Sequence, residues 1–262
     1  MAEPKHEQNL ARWAREGRAG SEPVAAATVL LLRDGADGLE TLMLRKNSKI
    51  AFGGMWVFPG GRVDDADRSG LHDADDLAHA RIAAVREAEE ETGLIVKPHE
   101  MVPFSHWTPP AITPRRFLTW FFAAAAPDGS VTIDQGEIHE SQWMSPRAAI
   151  ERRDAGEIEV APPTFVSLFE LAGWRDVGTA LDALQARVPE RFETRIAVKD
   201  DGPIALWHGD AGYGEGDPDL EGPRHRLHMN RPAWHYERTQ HPSAPSDAPG
   251  SVPRPDAGAD ED

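Results

Sequence analysis

Apolar positions follow two different spacings along the chain, and each spacing predicts a different kind of element. Continuous apolar runs at 24–32 and 120–126 are far shorter than the roughly 20 residues that cross a bilayer, so we interpret them as buried strands. Apolar residues spaced three to four apart, with glycine or proline at the ends, predict helices elsewhere. Strands are predicted at 25–33, 39–45, 101–107, 117–125, 140–144, 194–198, 204–207 and 225–229. Helices are predicted around 10–15 and at 77–92, 145–153, 164–173 and 177–188.

The order of these elements divides the chain into four parts. Strands and helices are interspersed, which indicates a layered domain of the α/β class. We expect an N-terminal extension over 1–22, a central domain over 23–160, and a C-terminal extension over 161–238 that packs on it. The last part, 239–262, is rich in Pro, Ser, Ala, Gly and acidic residues and has hardly any apolar content, so we expect a disordered tail.

The charge balance excludes two classes of partner. The 262 residues include 28 Lys and Arg against 44 Asp and Glu, which gives a formal net charge of −16. Affinity for nucleic acid or an anionic membrane comes mainly from basic side chains that meet phosphate, so we expect neither partner. The net charge does not exclude a small substrate that carries phosphate, provided that metal ions or a local basic patch offset the acidic field.

Cysteine usage and the N-terminus bear on the compartment. The chain contains no Cys, which excludes disulfides, thiolate metal sites and a cysteine nucleophile. The charged N-terminus lacks the apolar stretch of a signal peptide, so we expect a cytoplasmic protein. The sequence is compatible with a homodimer.

The predicted helix at 77–92 carries an acidic cluster. Glu87, Glu90 and Glu91 have the spacing i, i+3, i+4, which brings them together on one helix face. The positions expected on the opposite, apolar face are Ala78, Ile82, Val85, Ala88 and Thr92. On this interpretation the charge of Glu91 serves a ligand and not packing. Three adjacent like charges repel one another and destabilise the helix. A hard cation such as Mg²⁺, bound between the carboxylates, would turn this repulsion into a net attraction. The alternative is a solvated acidic helix face.

The acidic run belongs to a longer motif. Arg86 precedes the first glutamate, Gly93 follows the helix, and a turn with the sequence Phe-Pro-Gly-Gly lies upstream at 58–61. With these residues the sequence resembles the Nudix hydrolase family, whose box reads G-x5-E-x7-R-E-U-x-E-E-x-G-U, where U is a bulky apolar residue. The segment from Arg86 to Leu94 matches the second half of this box.

The first half of the box is longer here than in the family pattern. Between Gly61 and Arg86 lie 24 residues where the pattern has 13, so 11 are inserted. The first glutamate of the box would fall at Asp67 when counted forward, or at Ala78 when counted back, and no role is assigned to either.

The resemblance implies a fold, a reaction and a set of site residues. The fold is an α/β/α sandwich around a mixed β-sheet, and the reaction is hydrolysis of a nucleoside diphosphate linked to another group, with Mg²⁺ or Mn²⁺. The implied metal ligands are Glu87, Glu90, Glu91 and the backbone carbonyl of Gly60. Arg86 would orient these acids through charge-assisted hydrogen bonds. The general base would be one of the glutamates or a loop acid, Glu137 or Glu140.

The lengthened box resembles an extended branch of the family that includes peroxisomal coenzyme A diphosphatases. A coenzyme A or acyl-coenzyme A diphosphatase is therefore an alternative function, and Arg45 and Gly54 match parts of that branch's signature. The candidate phosphate-binding residues are Arg45, Arg115 and Arg116. For Lys46 and Lys49 we expect solvated surface charge. An alternative from another class is a Nudix-like sensor that binds a ligand without turnover.

Overall fold

A computed structural model describes residues 6–17, 19–47, 52–69, 75–134, 136–230 and 233–239. Within them the helices are α1 (His6–Glu16), α2 (Asp65–Arg68), α3 (Asp76–Thr92), α4 (Pro146–Asp154), α5 (Pro162–Leu171) and α6 (Val177–Gln185), with a 3₁₀ turn at Pro98–Glu100. The strands are β1 (Val24–Gly35), β2 (Gly38–Lys46), β3 (Trp56–Val57), β4 (Gly60–Arg62), β5 (Val102–Thr108), β6 (Phe117–Ala125), β7 (Ile138–Met144), β8 (Glu190–Glu193), β9 (Arg195–Lys199), β10 (Gly202–Leu206), β11 (His225–His228) and β12 (His235–Arg238).

Eight of these strands form one mixed sheet. Its order is β3-β2-β1-β6-β5-β8, while β4 also pairs with β1 and β7 also pairs with β2. β1 and β6 run parallel, from Val24 opposite Phe117 to Leu32 opposite Ala125. β5 and β8 are also parallel, and the other strand pairs are antiparallel.

The central strand β1 is covered on both faces, which explains its continuous apolar run. Side chains alternate across a strand, so Val29 and Leu31 point to one face of the sheet and Leu30 and Leu32 to the other. The first pair packs with the alanines of α3. The second pair belongs to a core that includes side chains from α4, α5 and α6. The predicted α/β/α sandwich around a mixed sheet is therefore confirmed.

The segment after α6 completes the main sheet and adds a second one. β8 joins the main sheet at the edge of β5, and β9–β12 form a four-stranded antiparallel sheet in the order β12-β11-β10-β9. Trp107 of β5 stacks on Phe192 of β8, with ring centroids 3.8 Å apart and planes at 2°. Trp207, directly after β10, meets both rings edge-on and joins the second sheet to the first.

The predicted core-facing side of the long helix was wrong at three of its five positions, whereas Ala88 and Thr92 are buried as predicted. Ala78, Ile82 and Val85 of α3 are only half-buried, whereas the helix buries a row of small residues against the sheet. That row consists of Ala80, Ala83, Ala84 and Ala88. Alanines allow the helix axis to lie close to β1, and the larger side chains then fit at the flanks of the contact. Glu87 and Glu91 continue the same row one turn further on.

Two further observations concern the ends of the chain and membranes. No helix among the described residues has both the length and the apolar character needed to span a bilayer. The predicted disordered tail, apart from Thr239, lies outside the described residues, as does Lys49.

Candidate active site

The acidic helix is fixed at both ends by local contacts. The Asp75 side chain accepts a hydrogen bond from the Ala78 N–H at 2.9 Å and caps the helix start. Gly93 ends the helix in the left-handed conformation, with φ of +70°, and its N–H donates to the Glu89 carbonyl. These caps fix the limits of α3, and the packing of its alanine row on the sheet brings Glu91 against the turn at 58–61.

Arg86 holds the acids of this region through all of its donors. Its Nε and Nη2 donate to the two oxygens of Asp67, each at 3.0 Å. Nη1 donates to Glu87 at 2.8 Å and to Glu90 at 3.0 Å. Nη2 also donates to the Arg62 carbonyl at 2.9 Å. A guanidinium has five N–H groups in a rigid fork, and every one is engaged here.

Asp67 is the residue whose role the sequence left open. It is only 2% exposed, and its carboxylate also accepts from the Asp64 N–H at the start of α2. Burial alone would raise the pKa of Asp67, but the hydrogen bonds from Arg86 and Asp64 outweigh it and hold the pKa below its usual value. Asp67 thus anchors Arg86 from the forward-counted position of the first box glutamate. The counting identified this position, but it could not show that the carboxylate reaches Arg86.

Glu91 is buried, contrary to the expectation that it stands away from the packed side. One carboxylate oxygen accepts from Lys46 Nζ at 2.5 Å and the other from the Gly60 N–H at 2.9 Å. Lys46 is itself buried, so the prediction that it is a solvated surface charge was wrong. Its Nζ also lies 3.6 Å from Glu137. An ammonium ion therefore sits between a helix acid and a loop acid.

The Gly60–Gly61 turn approaches the helix more closely than any side chain would permit. A Cβ built on Gly61 would lie 2.3 Å from the Glu87 carboxyl carbon. On the other side, a Cβ on Gly60 would lie 2.4 Å from the Ala27 carbonyl oxygen. The Thr28 hydroxyl donates to the Pro59 carbonyl at 2.6 Å and fixes the turn to β1. Two glycines are required here because backbone and carboxylates share the space.

These groups line one cavity of about 1010 Å³. It brings together most of the predicted site residues, namely Gly60, Arg86, Glu87, Glu90, Glu91, Arg115, Arg116 and Glu137. Arg45 and Glu140 do not line it, and instead pair with each other at 3.7 Å on the neighbouring strands β2 and β7. Sequence reasoning missed two acids of the lining, Asp64 and Asp134. Both lie in loop positions that carry no pattern of their own.

The donor set fits a hard divalent cation, although its ligands are not gathered in advance. Within the described ranges, no three Asp, Glu or His side chains are arranged to hold a metal ion. Burial raises the pKa of both Glu87 and Glu91, against the lowering effect of Arg86 and Lys46. A bound cation would offset that cost of burial, and carboxylate and carbonyl oxygens are the ligands that Mg²⁺ and Mn²⁺ prefer. Lys46 would have to release Glu91 for that to happen.

The sequence pattern of the NUDIX domain matches residues 22–163, more than half of the chain. The chain belongs to the NUDIX family. Its NUDIX segment carries β1 to α4, the Gly60–Gly61 turn and the acids of α3.

Two similar proteins place this NUDIX domain among known relatives. A Caenorhabditis elegans protein assigned by name to the Nudix hydrolases (nudix hydrolase 7) is 26% identical over 172 residues. The match covers 52% of this chain and 56% of that relative, so the chain spans little more than half of its length. The crystal structure of a NUDIX hydrolase from Alicyclobacillus acidocaldarius matches with a TM-score of 0.56 at 22% identity, over 62% of this chain and 96% of that one. At this identity the likeness shows the shared fold alone.

Proposed function

We propose that the protein is a divalent-metal-dependent hydrolase that cleaves the diphosphate bond of a nucleoside diphosphate linked to another group. The observation that carries this proposal is the meeting of Glu87, Glu90 and Glu91 with the Gly60–Gly61 turn at the wall of one large cavity. Membership of the NUDIX family supports the same reaction class.

In the proposed mechanism Glu87, Glu90, Glu91 and the Gly60 carbonyl would hold Mg²⁺ or Mn²⁺. When bound, the cation supplies positive charge against the anionic diphosphate, which otherwise resists attack by water. Arg86 keeps Glu87 and Glu90 oriented through its hydrogen bonds, and it is itself held by Asp67.

The rest of the cavity wall binds the substrate and receives the proton. Arg115 and Arg116 line the cavity and would bind phosphate oxygens in an otherwise acidic protein. Glu137 would accept the proton of the attacking water, because it lines the cavity 3.6 Å from Lys46 Nζ, whereas Glu140 pairs with Arg45 outside the cavity.

A coenzyme A or acyl-coenzyme A diphosphatase is the narrower form of this proposal. The cavity volume of about 1010 Å³ favours a substrate with a large second group, since ligand sites commonly have about 300–1,000 Å³. The position of Arg45 outside the cavity offers no support for that narrower form.

A substrate panel tests the proposal. Coenzyme A, ADP-ribose, NADH, diadenosine polyphosphates and nucleoside triphosphates are each incubated with Mg²⁺, Mn²⁺ or EDTA, and the product masses are measured. We expect metal-dependent cleavage between two phosphorus atoms of at least one compound. Glu87→Gln should lower kcat by about 100-fold or more, a loss of about 3 kcal/mol. Glu89→Gln is the matched control, because Glu89 is exposed on the same helix and does not line the cavity. Ligand binding without any product would instead identify a sensor that does not turn over.

A further inference from the structure

The cavity continues beyond the acids into a part walled by aromatic rings. The aromatic and histidine side chains among its described lining residues are His6, Phe52, Phe58, Trp107, Phe117 and Phe121. Phe58, Trp107 and Phe121 are buried in the core, and Trp107 already has a face covered by Phe192. Their rings are committed to packing. Of the other three rings, those of His6 and Phe117 are half-buried and that of Phe52 is exposed.

These three rings surround one patch of the cavity wall. The Phe52 ring centroid lies 6.5 Å from that of His6 and 6.0 Å from that of Phe117, with the planes inclined at 45° in both pairs. Neither neighbour lies flat on Phe52, which is 40% exposed. All three residues line the same cavity as Glu87 and Glu91.

Phe52 adopts a backbone conformation that a bulky side chain rarely takes. Its φ is +59°, and among the described residues it is the one non-glycine with a positive φ. The left-handed region is sterically unfavourable for a residue with a Cβ. A strained backbone at a residue with an exposed apolar side chain gains little for folding, and such residues concentrate at functional sites.

The imidazole of His6 supplies an aromatic surface instead of a positive charge. Burial lowers the pKa of His6 to about 4, so the ring is neutral near pH 7. The His6 N–H donates to Glu159 at 2.8 Å and anchors the start of α1 beside the cavity. The N-terminal helix therefore contributes directly to the wall of the candidate site.

We propose that Phe52, with His6 and Phe117, forms the subsite that stacks on the planar base of the nucleotide substrate. The inference rests on the proposed function and extends it from the diphosphate to the base. Aromatic stacking recognises a planar ring with little preference among bases, because every base presents a π-face. Phe52 then distinguishes ligands that carry a base from ligands that do not. Its replacement should raise KM more than it lowers kcat.

The experiment compares a ligand with a base against one without it. Binding of ADP and of inorganic pyrophosphate, each with Mg²⁺, is measured by calorimetry for wild type, Phe52→Gly, Phe52→Asn and Phe52→Trp. Glycine and asparagine tolerate a positive φ, so neither variant adds strain and the melting temperature should match or exceed that of wild type. We expect both variants to bind ADP about tenfold more weakly or worse, in line with the loss of one stacked ring. Pyrophosphate affinity should stay unchanged, and Phe52→Trp should keep ADP affinity.

Phe169→Ala is the matched control, because Phe169 is an exposed phenylalanine on α5 that does not line the cavity. It should leave both affinities unchanged. Equal weakening of ADP and pyrophosphate in Phe52→Gly, or unchanged ADP affinity with a lowered melting temperature, would show that the ring is structural and overturn the subsite. If no diphosphate is hydrolysed while ADP binding still depends on Phe52, the proposed reaction fails and the base subsite stands.

Discussion

Glu91 combines two roles that place different demands on one side chain. As a candidate metal ligand it needs an open carboxylate, yet both of its oxygens are taken by Lys46 and by the Gly60 N–H. Both members of the Lys46–Glu91 pair are almost fully buried. A buried pair of this kind adds little stability by itself. Removing one member, however, leaves the other charge buried without a partner, which destabilises the fold. The candidate site therefore contributes to folding as well as to chemistry.

Glu91→Gln should lower both activity and stability. Gln keeps the size but removes the anion, so the ammonium of Lys46 loses its close partner and keeps only Glu137 at 3.6 Å. We expect a loss of about 2 kcal/mol in the free energy of unfolding, measured by urea titration, and activity near background. The double variant Glu91→Gln/Lys46→Met removes the stranded charge as well and should recover much of the stability while staying inactive. Wild-type turnover in Glu91→Gln under saturating Mg²⁺ would contradict the assigned role.

At the scale of elements, a second buried ion pair holds the loop that joins β10 to β11. Asp210 and Arg226 are joined by two hydrogen bonds, of 2.7 and 2.6 Å, with side chains 0% and 4% exposed. The Asp210 carboxylate also accepts from the Gly212 and His225 N–H groups. Burial would raise the pKa of Asp210, but these hydrogen bonds outweigh it and lower the pKa below its usual value. The loop thus depends on an ionised aspartate.

Arg226→Met should destabilise the protein by about 3–5 kcal/mol at pH 7, because it leaves the Asp210 charge buried without its cation. Asp210→Asn/Arg226→Met removes both charges and should be more stable than the single variant. The pKa of Asp210 is lowered in the folded state, so the pair's contribution is present above the unfolded pKa of about 4. It is lost as the pH falls below that value. Urea titrations between pH 7 and pH 3 measure the free energy of unfolding of wild type and of Arg226→Met. The difference between the two should become smaller as the pH falls. A difference that stays constant over this range would refute the role of the ionised pair.

How far the sequence predicts an element depends on whether its signal is local. Strand β6 matches its predicted limits 117–125, and α3 starts within one residue of its predicted limit, because apolar runs and caps are local features. β8 was missed, since apolar and polar residues alternate only weakly over Glu190–Glu193. The segment becomes a strand by pairing with β5. β12 was missed for the same reason, since among the described strands it pairs with β11 alone.

In the candidate site, too, the sequence predicts the features with a local signal and misses those that depend on distant residues. The acids of α3 and the Gly60–Gly61 turn stand in a recognisable spacing, so the sequence could predict them. The burial of Lys46 could not be predicted, because its partner Glu91 lies 45 residues away along the chain. Neither the exposure of Phe52 nor its positive φ carries any signal in the sequence.

At the scale of the whole molecule, the cavity is assembled from three parts of the chain. The NUDIX segment supplies the acids, α1 supplies His6 and Leu10, and the C-terminal segment supplies Thr164, Thr194 and Ile196. The segments on either side of the NUDIX core therefore shape the space available to a substrate. Changes in these segments should alter substrate choice before they alter chemistry.

The last part of the chain is expected to be dispensable for this cavity. Residues 241–262 contain one large aliphatic residue, Val252, among mostly proline, small and acidic residues, so we expect them to add little apolar surface to the cavity. Thr239 is the last described residue, and it bonds to Arg224 through both its N–H and its hydroxyl. A truncation after Gln240 keeps these bonds, and we expect it to leave kcat/KM unchanged. The competing idea is that the acidic tail covers the basic wall at Arg115 and Arg116 as a lid. Steady-state kinetics of the truncated and full-length proteins decide between the two, since a tenfold loss of kcat/KM, about 1.4 kcal/mol of transition-state stabilisation, would favour the lid.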